Sequence, residues 1–223
     1  MTIVTRLAAG FVCLATLATL SACGDLDTSR TSVAGRIVTA LFSGPAPPAA
    51  PLTRPGFTAA ELAADPDRFR LVSIESMGLA EPARLIGSGG GRETWEGESG
   101  FTAIYVDGML AATHGLIFDL IAADGAATRA ALRQGGGETT RSIEMMDSQD
   151  QLTRIDLTCT VTDAGPESVN LGTREVQARR FIESCRSAVL ILENRYWLDS
   201  RGQIVSSLQY VSPTVAYLRS NRL

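Results

Sequence analysis

The sequence predicts a mainly β domain, an antiparallel β-barrel-like fold or sandwich with short N-terminal helices and one helical insertion. Three observations lead there. From Phe69 onward, short segments alternate apolar and polar residues with the period of two that a half-buried strand requires. Gly, Asp, Asn and Pro punctuate these segments, and Asp107-Gly108 sits between two apolar arms, Ile104 to Val106 and Met109-Leu110. Only Leu116 to Leu132 in this half is rich enough in Ala and Leu to read as helix. Several antiparallel strands with a single helical insertion close into a barrel or pack as a sandwich.

The chain opens with a short basic start, Met1 to Arg6, followed by an apolar run from Leu7 to Leu20. That run is shorter than the roughly 20 residues a membrane-crossing helix needs, so it reads as the core of a cleaved signal. It ends in Leu20-Ser21-Ala22-Cys23, a lipobox. Residues 1–22 are therefore predicted to be a lipoprotein signal peptide and Cys23 the first residue of the mature chain. Lipoproteins of this pattern carry diacylglycerol on the thiol and an acyl chain, such as palmitate, on the new amino terminus. Each buried CH2 is worth about 0.8 kcal/mol, and more than one chain makes the anchor stable. Gly24 follows the cysteine where an Asp would favour inner-membrane retention, which is compatible with the outer membrane.

Residues 23–57 read as the lipidated N-terminus, a short helix and a linker. Val33, Ile37, Val38, Leu41 and Phe42 recur at near-helical spacing until Gly44-Pro45 stops the pattern. Five of the nine prolines then fall between Pro45 and Pro55, a stretch that cannot continue a helix. Residues 58–223 are expected to form one β-rich domain. It begins with Thr58-Ala59-Ala60-Glu61, a capping box opening a helix that ends before Asp65-Pro66. Asp107-Gly108 suits the positive φ angles of a type I′ hairpin. Ile155, Leu157, Cys159 and Val161 alternate with polar residues, as do Ile204 and Leu208, and Asp199 to Gly202 turns between strands read over 189–198 and 203–211.

Composition excludes several function classes. The 223 residues carry 20 Lys+Arg, all of them Arg, against 24 Asp+Glu, for a formal net charge of −4. No basic stretch points to nucleic acid. His114 is the single histidine and no Cys-x-x-Cys occurs, so no metal is expected, and the covalent lipid on Cys23 is the one prosthetic group. With Cys13 in the signal and Cys23 at the lipid site, Cys159 and Cys185 remain as a candidate disulfide. Two small buried thiols are the alternative.

Catalytic motifs are weak. Gly89 to Gly91 and Gly135 to Gly137 lack the Lys-Ser/Thr and βαβ setting of a phosphate loop and read as turns. Gly97-Glu98-Ser99-Gly100 fails as a nucleophile elbow because Phe101 follows. A serine triad would need His114 with Asp107 or Asp119, and a glycosidase pair would need Glu96 with Glu98, or Glu193 with Asp199. Solvated acids and a turn histidine explain all of these, and no catalytic residue is assigned. The candidate glycan-facing set is Trp95, Tyr196, Trp197 and Tyr210 with Arg92 and Arg195, because aromatic rings stack on sugar faces while guanidinium groups take hydroxyls. Core packing of the same rings competes with that reading, and Tyr196 and Trp197 must point to opposite faces of a regular strand. Arg174, Arg179, Arg180 and Arg186 gather around one strand region and read as a solvated face.

Three blocks, taken in order behind the lipobox, resemble the YjbF or GfcB capsule lipoprotein family. The first is Gly91-Arg92-Glu93-Thr94-Trp95 with the Asp107-Gly108 hairpin. Thr113-His114-Gly115-Leu116 with Asp119-Leu120 is the second, and Glu193 to Asp199 with Ser207 to Val211 is the third. The chain departs from the family's pattern at His114 and Leu208, where relatives carry Arg, and at Tyr210, where they carry Trp. The resemblance implies a β-barrel-like lipoprotein on the periplasmic face of the outer membrane, working with exopolysaccharide or capsule assembly proteins and with no catalytic residues to carry over. The function expected is therefore non-enzymatic assistance to exopolysaccharide or capsule production or secretion. A glycan-binding or lipid-binding periplasmic module is the alternative, and a polysaccharide hydrolase comes third.

Overall fold

A computed structural model describes residues 57–146 and 151–223. The signal, Cys23, the helix read around Val33 to Phe42 and the proline-rich stretch lie outside the described residues.

The N-terminal helix α1 (Ala59–Ala64) forms where its capping box predicts. Glu61 N donates to Thr58 Oγ1 at 3.2 Å, and Thr58 N donates back to Glu61 Oε2 at 2.8 Å. A single 3-10 turn over Pro66–Arg68 then leads into the sheet. In chain order the strands are β1 (Phe69–Ile74), β2 (Leu79–Gly89), β3 (Arg92–Gly97), β4 (Thr102–Val106), β5 (Met109–His114), β6 (Leu120–Asp124), β7 (Gly137–Met146), β8 (Leu152–Asn170), β9 (Glu175–Arg186), β10 (Ile191–Leu198), β11 (Ile204–Ser212) and β12 (Ala216–Arg222).

All pairings are antiparallel, in the order β5-β4-β3-β2-β1-β12-β11-β10-β9-β8-β7-β6. Each strand thus lies beside a sequence neighbour, β12 returns to β1, and the meander forms a nearly closed barrel whose seam falls between β5 and β6. Side chains hold the seam where no ladder does. Leu120 N donates to Thr113 Oγ1 at 2.9 Å, and the Thr113 hydroxyl donates to Asp119 Oδ1 at 2.8 Å. From the far wall, Gln209 on β11 crosses the interior, and its Oε1 accepts from Leu110 N on β5 at 2.8 Å.

Twelve strands enclose more space than the eight whose side chains just fill a small barrel. Here that space is taken by long and aromatic side chains, with Arg70, Trp95, Phe101, Tyr105 and Tyr196 almost fully buried. One end is also packed by α2 (Ala126–Gln134), whose Ala131 and Leu132 meet Met109, Phe181, Tyr196 and Ile204. Alternate turns of a meander share an end, so the β2–β3, β4–β5 and β10–β11 turns lie at the same end as α2.

The helical insertion is shorter than the sequence suggests. Residues 120–124, read as helix, are strand β6, and the helix starts only at Ala126. The Asp119 carboxylate accepts from Thr113 Oγ1, Gly115 N and Leu116 N, tying this segment into a turn that delivers β6 to β7. The strand read from Val189 begins at Ile191, since Ser187 N donates to Leu190 O and closes a turn first. Ile204 and Leu208 do not share a face. A bulge opposite Trp197 and Leu198 puts one extra residue into β11, so Ile204 points into the barrel and Leu208 outward.

A second bulge, at Asp163 to Gly165, flips the far half of β8 in the same way. Leu157, Cys159 and Val161 face the barrel core, whereas Val169 joins Val176, Ala178, Trp197 and Val205 in a separate apolar cluster outside it. Asp107 (φ 50°) and Gly108 (φ 82°) make the expected hairpin between β4 and β5, with both φ angles positive as a type I′ turn requires.

Candidate functional site

Two charged networks occupy the barrel interior. The first centres on Glu183 of β9, which has no solvent exposure. Its Oε1 accepts from Arg141 Nε at 3.1 Å and from the Thr128 hydroxyl, while Oε2 accepts from Asn194 Nδ2 at 2.7 Å and Tyr196 OH at 2.8 Å. Arg141 Nη2 donates in turn to Tyr196 OH at 3.0 Å. Burial pushes the Glu183 carboxyl up, but Arg141 and the Asn194 and Thr128 donors outweigh it and hold the pKa below its ordinary value. Tyr196 is shifted well upward by burial and by the facing Glu183 charge, so its hydroxyl stays protonated.

The second network leads to the surface. The Arg70 guanidinium, on β1, lies 4.6 Å from the Trp95 ring centroid and 4.7 Å from that of Tyr105. Arg70 Nη1 donates to Ser220 Oγ at 3.1 Å and Nη2 to Glu93 Oε2 at 2.9 Å. Glu93 also accepts from Trp95 Nε1 at 3.1 Å and Arg222 Nη2 at 2.6 Å. Burial raises its pKa, yet the Arg70 and Arg222 charges prevail and leave it lowered.

Beyond Glu93 the α2 end of the barrel opens into a polar cavity of about 280 Å³. Its charged lining comprises five arginines, Arg70, Arg92, Arg129, Arg133 and Arg222, and two carboxylates, Glu93 and Asp107. Turn geometry builds the wall. Asp107 N donates to Gly91 O at 2.8 Å, and Gly91 takes a φ of 77°, a left-handed conformation that glycine reaches without strain, while a Cβ there would press on the Asp107 carboxylate. Arg129 and Arg133 project from α2 one turn apart.

The candidates read from sequence are not brought together. Trp95 and Tyr196 are inside the barrel at 1% and 0% exposure, so neither presents a face to a polymer. Trp197 lies on the outer face but is covered there, with the Arg219 guanidinium 4.9 Å from its ring. Tyr210 is half-buried against Tyr217, which, after burial itself, helps push its phenol up to about 12. Arg195 is exposed and paired with Glu193 at 2.9 Å. Of the six, only Arg92 lines the cavity. Arg179 and Arg180 pair with Asp163 and Glu167. Sequence reading missed Arg70, Arg129, Arg133 and Arg222; the one available signal was the Arg129-x-x-x-Arg133 spacing on a helix.

Cys159 and Cys185 face each other across β8 and β9 and are joined by a disulfide. With Glu183 they form the one cluster of metal-ligating residue types among the described residues, but the sulfurs are bonded to each other and Glu183 already accepts from four donors. Two of the carboxylates considered for hydrolysis, Glu98 and Asp199, hold backbone segments in place. Glu98 Oε1 accepts from Phe57 N at 2.6 Å, and Asp199 accepts from Arg201 N and Gln203 N in the β10–β11 turn. His114 is exposed at the end of β5, and the Asp119 carboxylate is taken up by the seam.

Comparison with known proteins agrees with this architecture. A family model described as group 4 capsule polysaccharide lipoprotein GfcB, YjbF matches residues 36–223. The crystal structure of the hypothetical lipoprotein YmcC from Escherichia coli (K12) is similar, with a TM-score of 0.63 and 19% sequence identity over 86% of this chain and 96% of that one. At that identity the likeness concerns the fold. A search of curated proteins found no match.

Proposed function

The chain belongs to the group 4 capsule polysaccharide lipoprotein family, and from that premise we propose that it is a non-catalytic accessory of capsule or exopolysaccharide secretion. In this reading it is tethered through lipid on Cys23 to the periplasmic face of the outer membrane and acts by contact with the polymer or with assembly proteins. The family match over residues 36–223 carries the proposal. The lipobox ending in Cys23 supplies the tether, and the structural duties of Glu98, Asp119 and Asp199 speak against a hydrolytic pair at those positions.

The test is extracellular polysaccharide from a deletion strain complemented by the wild type or by Cys23→Ser. Loss of polymer restored only by the lipidated form is the expected outcome. Normal secretion without the protein would overturn the proposal.

A further inference from the structure

We propose that the arginine-lined cavity at the α2 end of the barrel binds an oxyanion-bearing saccharide, its carboxylate or phosphate group held by Arg129, Arg133 and Arg92. This names the ligand class for the polymer-contact role above and rests on that reading for its biological setting.

Arg129 is the central observation. The residue is only 6% exposed, and its Nη2 donates to Gly202 O at 2.9 Å, but its Nε and Nη1 are buried without a hydrogen-bond partner among the described residues. A guanidinium does not shed its proton to escape such a position, so two unsatisfied donors persist at real cost unless an acceptor arrives. Both belong to a side chain that lines the cavity.

Charge bookkeeping points the same way. Of the two acids in the lining, Glu93 is committed to Arg70 and Arg222. Among the described residues, Arg92, Arg129 and Arg133 have no carboxylate within ion-pair distance, and Asp107 is the opposing charge that Arg129 feels. Arg129 and Arg133 repel each other one helical turn apart, an arrangement that an anion between them relieves. The chain as a whole carries a net charge of −4, so this basic concavity is a local construction that focuses potential.

The rest of the lining fits a sugar. Planar guanidinium forks match a carboxylate or phosphate in bidentate fashion. Ser88, Gln203 and the Asp107 carboxylate offer partners for hydroxyl groups, and Gly89 and Gly91 leave backbone exposed. A volume of about 280 Å³ sits at the lower edge of small-molecule sites, which run from roughly 300 to 1,000 Å³. That suits one charged residue of a polymer, or its end.

Calorimetry on the full-length lipidated protein in nonionic detergent tests the site with three probes: an oligoglucuronate, inorganic phosphate and a neutral glucose oligomer. The oligoglucuronate is expected to bind, to weaken as salt rises toward the screening range, and to lose at least about tenfold in affinity, the equivalent of about 1.4 kcal/mol, in both Arg129→Gln and Arg133→Gln. Arg133 is exposed on α2, so its variant is free of any folding question. Arg154→Gln, on the outer face of β8, should bind as the wild type does. Binding of phosphate alone, lost in the same variants, would assign the charge to phosphate. Failure of both charged probes, equal binding of the glucose oligomer, or undiminished binding by both variants would overturn the site. If deletion abolishes polymer and Arg133→Gln restores it fully, the site falls while the secretion role stands.

Discussion

Arg141 on β7 and Glu183 on β9 meet at 3.1 Å over the intervening strand β8, with side-chain exposures of 4% and 0%. Alone, the carboxyl would be driven toward its protonated form and the guanidinium would remain as an unpaired buried charge. Their mutual attraction offsets the desolvation only because Thr128, Asn194 and Tyr196 complete the carboxylate's shell, so the pair ties α2, β7, β9 and β10 into one arrangement.

Glu183→Gln should therefore destabilise the domain by about 3–5 kcal/mol, because it strands the Arg141 charge in the interior. The measurement is the urea midpoint. Replacing both partners by Met should recover much of that loss, since no buried charge is then left unpaired.

Acid should act through the same carboxylates. The folded pKa values of Glu183 and Glu93 lie below the ordinary value, so between the folded and unfolded values the unfolded chain binds more protons than the folded one. Their stabilisation is fully present above the unfolded value of about 4.3 and is lost as pH falls through the lowered folded values. Urea midpoints across a pH series should decline below about pH 4, and Glu93→Gln should flatten that decline.

The Thr113 hydroxyl bridges the barrel seam, accepting from Leu120 N and donating to Asp119. Thr113→Val removes the acceptor of Leu120 N and the donor to Asp119, which should cost about 1–3 kcal/mol for the buried group left unpaired. Hydrogen exchange should quicken in β5 and β6 while β1 and β12 keep their protection. Equal quickening around the whole barrel would mean that the seam is not the weak point.

The Cys159–Cys185 bond closes 26 residues of sequence separation, worth roughly 3 to 4 kcal/mol in the chain-entropy model. Cys159→Ser should lower the thermal midpoint under oxidising conditions. In reductant the wild type should fall to the level of the variant, and a persistent gap would assign the difference to packing.

Local chemistry decided what was legible before any fold was known. Thr58 and Glu61 cap α1 because both hydrogen bonds lie within one turn, and Asp107-Gly108 makes its hairpin because the required φ angles belong to those two residues. The period of two through Ile155, Leu157, Cys159 and Val161 marked one face of β8, and an even pair of cysteines in facing strands marked the bridge. The aromatic set misled because Trp95 and Tyr196 have the same composition signature whether they stack on sugar or fill a barrel.

By itself, then, the sequence determined the β-rich class, the turns, the caps and the lipobox, all of which depend on residues a few positions apart. Tertiary structure decided which faces were inward, since single-residue bulges at Asp163 to Gly165 and in β11 reverse the alternation; Gly165-Pro166 marks the first as a place where a strand can bulge, and β11 carries no such residues. Tertiary structure alone assembled the cavity. Arg70, Arg92, Arg129, Arg133 and Arg222 come from β1, β3, α2 and β12, and they converge only because closing the meander brings the first and last strands together beside the helix. Charge concentration of that kind is a property of distance in space, which sequence separation does not encode.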